Sequence, residues 1–127
     1  THLLIPRSDA MARMRVKRWE ALADGIMDSA VVVRTESIRP AEKQDADTIT
    51  RHNNAITRAL GFIANQLGQS EWCEGAFITL SDLALVSALV YLDLRQAERN
   101  WRAVHPNLAA WFAKMQVRES VKTSLVY

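Results

Sequence analysis

The sequence predicts an all-α fold, a helical bundle arranged around one central buried helix. Three observations carry this. Apolar residues recur every three or four positions over long stretches, no segment alternates with the two-residue period of a strand, and a helix-start signature stands directly before the most apolar stretch of the chain. Repeats and low-complexity tracts are absent, and the four Gly and three Pro fall mostly where helices should stop or start.

The first helix is expected from about Ser8, as N-cap, to about Glu36. Ala12, Trp19, Leu22, Ala23, Ile26, Ala30 and Val33 share one stripe at about 100° per residue. Pro40 is expected in the first turn of the second helix, where its missing N–H does no harm. Ile49, Asn53, Ile56, Leu60, Ile63 and Leu67 then step along one face, and Gly68 is placed to end the helix.

The third helix, about 80 to 95, is announced by Phe77-Ile78-Thr79-Leu80-Ser81-Asp82-Leu83. Thr79 occupies the N-cap and Asp82 the position three residues on, so side chain and backbone can exchange hydrogen bonds as a capping box. Ile78 and Leu83 stand at the hydrophobic-staple positions, and Gly75 permits the preceding turn. Leu83, Ser87, Val90, Tyr91 and Leu94 form one stripe while Leu85, Ala88 and Leu92 cover much of the rest. A helix apolar nearly all round belongs in a protein interior or a membrane, and this one is too short between Asp82 and Asp93 to span a bilayer. A loop through Asn100-Trp101 leads to His105-Pro106 and a fourth helix carrying Leu108, Trp111, Phe112 and Met115. A last helical turn is expected over Ser120 to Leu125.

At 127 residues, with 49% hydrophobic and 24% charged residues, the chain has the composition of one ordinary globular domain. Its net charge is only +2, and Arg13, Arg15, Lys17 and Arg18 form the sole dense basic group. That group reads as a solvated helix face, and no nucleic-acid or membrane partner is expected. The single Cys73 excludes an internal disulfide and fits a reducing, cytoplasmic setting. Thr in place of Met at the first position leads us to expect a start within a longer polypeptide.

The first helix also carries features that one core does not require. Asp24 and Asp28 lie one turn apart on the side away from the stripe, at a cost of a few tenths of a kcal/mol. Gly25 between them costs about 1 kcal/mol relative to Ala. Ala30-Val31-Val32-Val33 is apolar on every side, which implies a second contact surface. Two Asp without His or Cys support do not make a metal site. His52 and His105 read as structural, no Ser-His-Asp or Cys-His pairing has supporting context, and Cys73 beside Trp72 reads as a packed thiol.

These residues resemble the glutathione transferases. Asp24-Gly25-Ile26-Met27-Asp28 is similar to an Asp-Gly-x-x-Asp segment of that family. Thr79-Leu80-Ser81-Asp82-Leu83-Ala84 resembles its N-capping box, and His105-Pro106-Asn107-Leu108-Ala109-Ala110-Trp111 resembles its Pro-x-Leu-x-x-Trp. The resemblance runs from Ile5-Pro6 to about Val121, follows the bacterial members, and covers only the helical C-terminal domain. The thioredoxin-like N-terminal domain, which in the family holds glutathione and the thiol-activating Tyr, Ser or Cys, has no counterpart in this chain.

The resemblance implies residues 1–127 to be the acceptor-side domain of a dimeric enzyme that joins glutathione, its co-substrate, to small electrophiles, a detoxification chemistry. Asp24 would reach the amino group of glutathione bound in the partner subunit of a homodimer. Ala30, Val33 and Arg34 would line the acceptor pocket, with Tyr127 closing it. Arg34 stands where some mammalian members have an aromatic residue, which leaves acceptor preference open. Thr79 and Asp82 would be structural. The alternative is a non-catalytic interaction module, because similar helical domains serve as docking units in translation factors and tRNA synthetase assemblies. An unrelated bundle sharing these caps is a third reading.

Overall fold

A computed structural model describes residues 9–118, and within them the chain is helical with no strand. Its elements are α1 (Ala10–Ser37), a 3-10 turn (Ala41–Lys43), α2 (Ala46–Leu67), α3 (Leu80–Arg95), α4 (Trp101–Val104) and α5 (Pro106–Gln116). The turn expected over Ser120 to Leu125 lies outside the described residues.

The helix ends follow local chemistry. Asp9, one residue beyond the expected Ser8, caps α1 by accepting the Ala12 N–H at 3.1 Å. Pro40 does not open α2. It precedes the 3-10 turn, and α2 starts six residues later under Asp45, whose carboxylate accepts the N–H groups of Asp47 and Thr48 at 3.1 and 3.3 Å. The intervening segment bonds to itself: Gln44 donates to the carbonyls of Ser37 and Arg39, and Glu36 accepts the Asp45 N–H at 2.7 Å. Gly68 ends α2 at φ +55°, a conformation that favours residues without a Cβ. Asn107, on the first turn of α5, donates to the carbonyls of Ala64 and Gly68 at 2.9 and 2.8 Å, satisfying acceptors that the end of α2 leaves open.

Helix α1 packs against both α2 and α3, and α5 reaches α4 and α2. The core gathers Trp19, Ile26, Ile56, Leu60, Ile63, Leu85, Leu89, Leu92, Leu108 and Phe112, all nearly inaccessible to solvent. The stripes read on α1 and α2 supply their share, with Val16 added on α1. Trp101 and Phe112 meet edge to face, ring centroids 5.6 Å apart. What the sequence shows as a loop at Trp101 is the short α4, which places that indole in the core.

Helix α3 is the central buried helix, with one face more deeply buried than the other. Leu85, Val86, Ala88, Leu89 and Leu92 are buried, whereas Ser87 is exposed, Leu94 is 66% exposed, and Leu83, Val90 and Tyr91 are half-buried. The stripe from Leu83 to Leu94 is thus the less buried face of the central helix, and its Leu83, Val90 and Tyr91 still pack against the core. Helical periodicity identifies both stripes but does not say which of two apolar faces meets the core.

Candidate functional site

The start of α3 is densely hydrogen-bonded. Thr79 is extended (φ −134°, ψ 178°), and its Oγ1 accepts the Ser81 N–H at 3.2 Å. Asp82 returns the bond, its Oδ2 accepting the Thr79 N–H at 2.9 Å, so the capping box is formed. Its other oxygen accepts the Cys73 N–H at 2.8 Å across nine residues. Asp82 has no exposed surface, and burial pushes its carboxyl above the usual range while these backbone hydrogen bonds pull it down. Burial, followed by the nearby Asp82 charge, pushes the Cys73 thiol far up, so it is a packed thiol.

The connection between α2 and α3 is also pinned to α1. Glu74 accepts Arg15 Nε at 2.6 Å and the Trp19 indole N–H at 3.1 Å, and Ser81 Oγ donates to the Val16 carbonyl at 3.4 Å. Gly75 sits at φ +70°, as the turn into the cap requires. The basic group of α1 is largely engaged: Arg15 pairs with Glu74, Lys17 with Glu20 at 4.0 Å, and Arg18 lies 5.8 Å from the Phe62 ring centre.

Along α1, the residues singled out from the sequence separate into two groups. Asp24 and Asp28 are exposed, and among the described residues neither makes a hydrogen bond or an ion pair. A Cβ added at Gly25 between them would meet nothing within 4 Å. Arg34 is exposed and Val31 is 47% exposed, while Met27 is half-buried against the core. Ala30 is 1% exposed and Val33 9%, because their side of α1 faces this chain's own helices. These two thus stand behind the accessible surface, and of the Ala30-Val31-Val32-Val33 stretch expected to offer a second contact surface only Val31 is exposed. Tyr127 and His2 lie outside the described residues. His52 joins α2 to α1, its Nδ1 3.2 Å from Ser29 Oγ. Among the described residues no three His, Cys, Asp or Glu side chains form a metal-binding group, and no helix is long and apolar enough to cross a membrane.

Residues 46–114, more than half of the chain, match the glutathione S-transferase C-terminal domain family. The chain belongs to this family. The GST-like protein YibF of Escherichia coli K12 is 32% identical over 117 residues, which cover 92% of this chain and 57% of YibF. A glutathione S-transferase of Methylobacterium radiotolerans, solved with glutathione sulfonate, is 35% identical with a TM-score of 0.91, over 98% of this chain and 58% of that one. A glutathione S-transferase of Methylobacillus flagellatus, solved with glutathione, is 39% identical with a TM-score of 0.91, over 95% and 59% of the two chains. This glutathione S-transferase C-terminal domain thus spans somewhat more than half the length of the relatives it matches.

Several residues that hold this glutathione transferase domain together carry no sequence signal. Glu74 is one acidic residue in a loop, and its two partners on α1 lie 55 and 59 positions away. Asn107 shows only as a polar residue after Pro106, although it bonds the C-cap residue of α2, Gly68, 39 positions earlier. Asp93 holds Arg102 through two hydrogen bonds of 2.9 and 2.7 Å and accepts the Trp101 indole N–H at 3.1 Å, linking α3 to α4.

Proposed function

We propose that the intact polypeptide is a dimeric, cytoplasmic glutathione transferase in which residues 1–127 form the helical C-terminal domain beside a thioredoxin-like domain. Glutathione, bound and ionised mainly by that other domain, attacks a small electrophile. The observation that carries this reading is the close likeness over nearly the whole chain to transferases solved with glutathione or its sulfonate. Within the chain it is supported by Asp24, an exposed carboxylate with no partner of its own among the described residues. An ammonium such as that of glutathione in the partner subunit would give it a charge-assisted hydrogen bond. The open space around Gly25 leaves room for such an approach. The acceptor wall from α1 is Arg34 with Val31, backed from the core by Ala30 and Val33, and Tyr127 would close the site.

The test uses the full-length polypeptide, retention on immobilised glutathione and conjugation of an activated aryl halide. Asp24→Ala should raise KM for glutathione about tenfold, the worth of one charge-assisted hydrogen bond, while leaving the unfolding midpoint unchanged. Full-length protein that neither binds glutathione nor conjugates the halide would overturn the proposal and favour a docking module.

A further inference from the structure

Arg99 follows α3 and points its guanidinium back toward α2. Its Nε donates to Gln96 Oε1 at 2.7 Å, Nη1 to Thr57 Oγ1 at 2.8 Å, and Nη2 to Asn53 O and Oδ1, both at 3.2 Å. Gln96 is 6% exposed and braces the arrangement by donating to Asn53 Oδ1 at 3.2 Å. All these acceptors are neutral, and among the described residues Arg99 makes no ion pair. By contrast, Arg15, Arg39 and Arg102 each pair with a carboxylate. The network therefore fixes where the Arg99 guanidinium sits with no carboxylate bonded to it, although the charge of the adjacent Glu98 acts on it at longer range. Partial burial adds to this by disfavouring the bare cation, which pushes its pKa down. With one hydrogen of Nη1 given to Thr57, the second is left without an acceptor among the described residues.

Beside this cation lies a cavity of about 200 Å³ between α2 and α4, lined by Thr57, Leu60, Arg99, Asn100, Trp101, Val104 and His105. Its floor is apolar and fixed. Leu60 and Trp101 are each 2% exposed, the Trp101 indole N–H is bonded to Asp93, and Arg102 covers the same ring at 4.4 Å. Val104, 70% exposed, forms the outer lip. An oriented guanidinium with no carboxylate paired to it, at the edge of an apolar recess, suits a ligand with one anionic end and a compact apolar body. Ligand pockets for drug-sized molecules start at about 300 Å³, so the body here is on the order of a single ring or a short branched chain.

We propose that the recess between α2 and α4 is a binding site for small apolar monocarboxylates, the carboxylate pairing with Arg99 and the apolar body resting on Leu60, Trp101 and Val104. It shares no residue with α1 and so stands apart from the surface of Asp24 and Arg34. Its occupancy does not depend on conjugation chemistry.

The test is titration of the full-length protein with benzoate, followed by NMR, with benzyl alcohol as the uncharged match. Benzoate should bind saturably with Kd on the order of 1 mM, and benzyl alcohol about tenfold more weakly, a difference of about 1.4 kcal/mol. Arg99→Gln should weaken benzoate about tenfold, and Arg99→Lys should restore part of the loss. Because Arg99→Gln also loosens the tie to α2, Val104→Trp provides a second variant at an exposed position, and it should abolish binding by filling the recess. Equal affinity for benzoate and benzyl alcohol would overturn the proposal. So would benzoate binding that survives Val104→Trp, or no saturation up to about 50 mM, well above the expected Kd.

Discussion

Replacing Asp82 by Ala removes a carboxylate with no exposed surface that serves two separate backbone N–H groups, those of Cys73 at 2.8 Å and Thr79 at 2.9 Å. Loss of an ordinary N-cap contact costs about 1 kcal/mol. Here a second amide, nine residues upstream, is also left buried without an acceptor, and each such orphan costs about 1–3 kcal/mol. Relief from burying a charge offsets part of this, so the net loss should be about 3 kcal/mol. In a domain of this size that lowers the thermal midpoint by about 10 °C. Asp82→Asn keeps the shape and one acceptor oxygen, and should cost about 2 kcal/mol. The assay is thermal and urea unfolding followed by far-ultraviolet circular dichroism. Acidity supplies a further signature. Because burial raises the Asp82 carboxyl in the folded chain, the folded state takes up that proton before the unfolded state does. The wild type should therefore gain on Asp82→Asn as pH falls toward the ordinary value of 3.8, and the gain should level off below it. A midpoint shift for Asp82→Ala below about 3 °C would refute the reasoning, since it would mean that neither amide depends on this carboxylate.

Two other expectations are as easily checked. Burial pushes Asp93 up, but the hydrogen bonds from Arg102 and Trp101, with the Arg102 charge, more than offset it and hold its carboxyl below the ordinary range. The advantage of the wild type over Asp93→Asn should thus be complete above pH 3.8 and disappear as pH falls through the folded-state value, the opposite sign to Asp82, measured by urea midpoints across acid pH. Cys73, 8% exposed with its thiol pushed far up by burial, should stay unreactive toward a chromogenic disulfide reagent at pH 8 in the native state and react once unfolded in guanidinium. Rapid native reaction would contradict the described packing.

The parts of this fold legible in the sequence are those set within one or two helical turns. The Thr79–Asp82 box, the Gly68 stop and the bounds of α3 all depend on residues three to five positions apart. The stripes on α1 and α2 follow from helical periodicity, which local sequence displays in full. The start of α2 is not legible because Pro40 carries a strong local preference for a helix's first turn, while the Glu36 and Gln44 bonds that close a separate turn there depend on the chain doubling back. The burial of Ala30 and Val33 belongs to the same α1 stripe, whereas the pocket-lining role that the family likeness implies for them is one that periodicity cannot report. Arg99 is not legible either, since its acceptors on α2 lie 42 and 46 positions away and a lone Arg beyond a helix end has no distinguishing spacing.

The segment from Gly68 to Thr79 holds no regular helix beyond turns, and by composition alone it would pass for a slack connector. It is fastened at Cys73 to the mouth of α3, at Glu74 to two side chains of α1, and at Gly68 to the root of α5. Such a strap cannot peel away while the rest of the domain stays shut. The Cys73 amide should consequently exchange its hydrogen with solvent only as fast as the whole domain opens, and a protease should find this stretch resistant to cutting until the entire bundle comes apart.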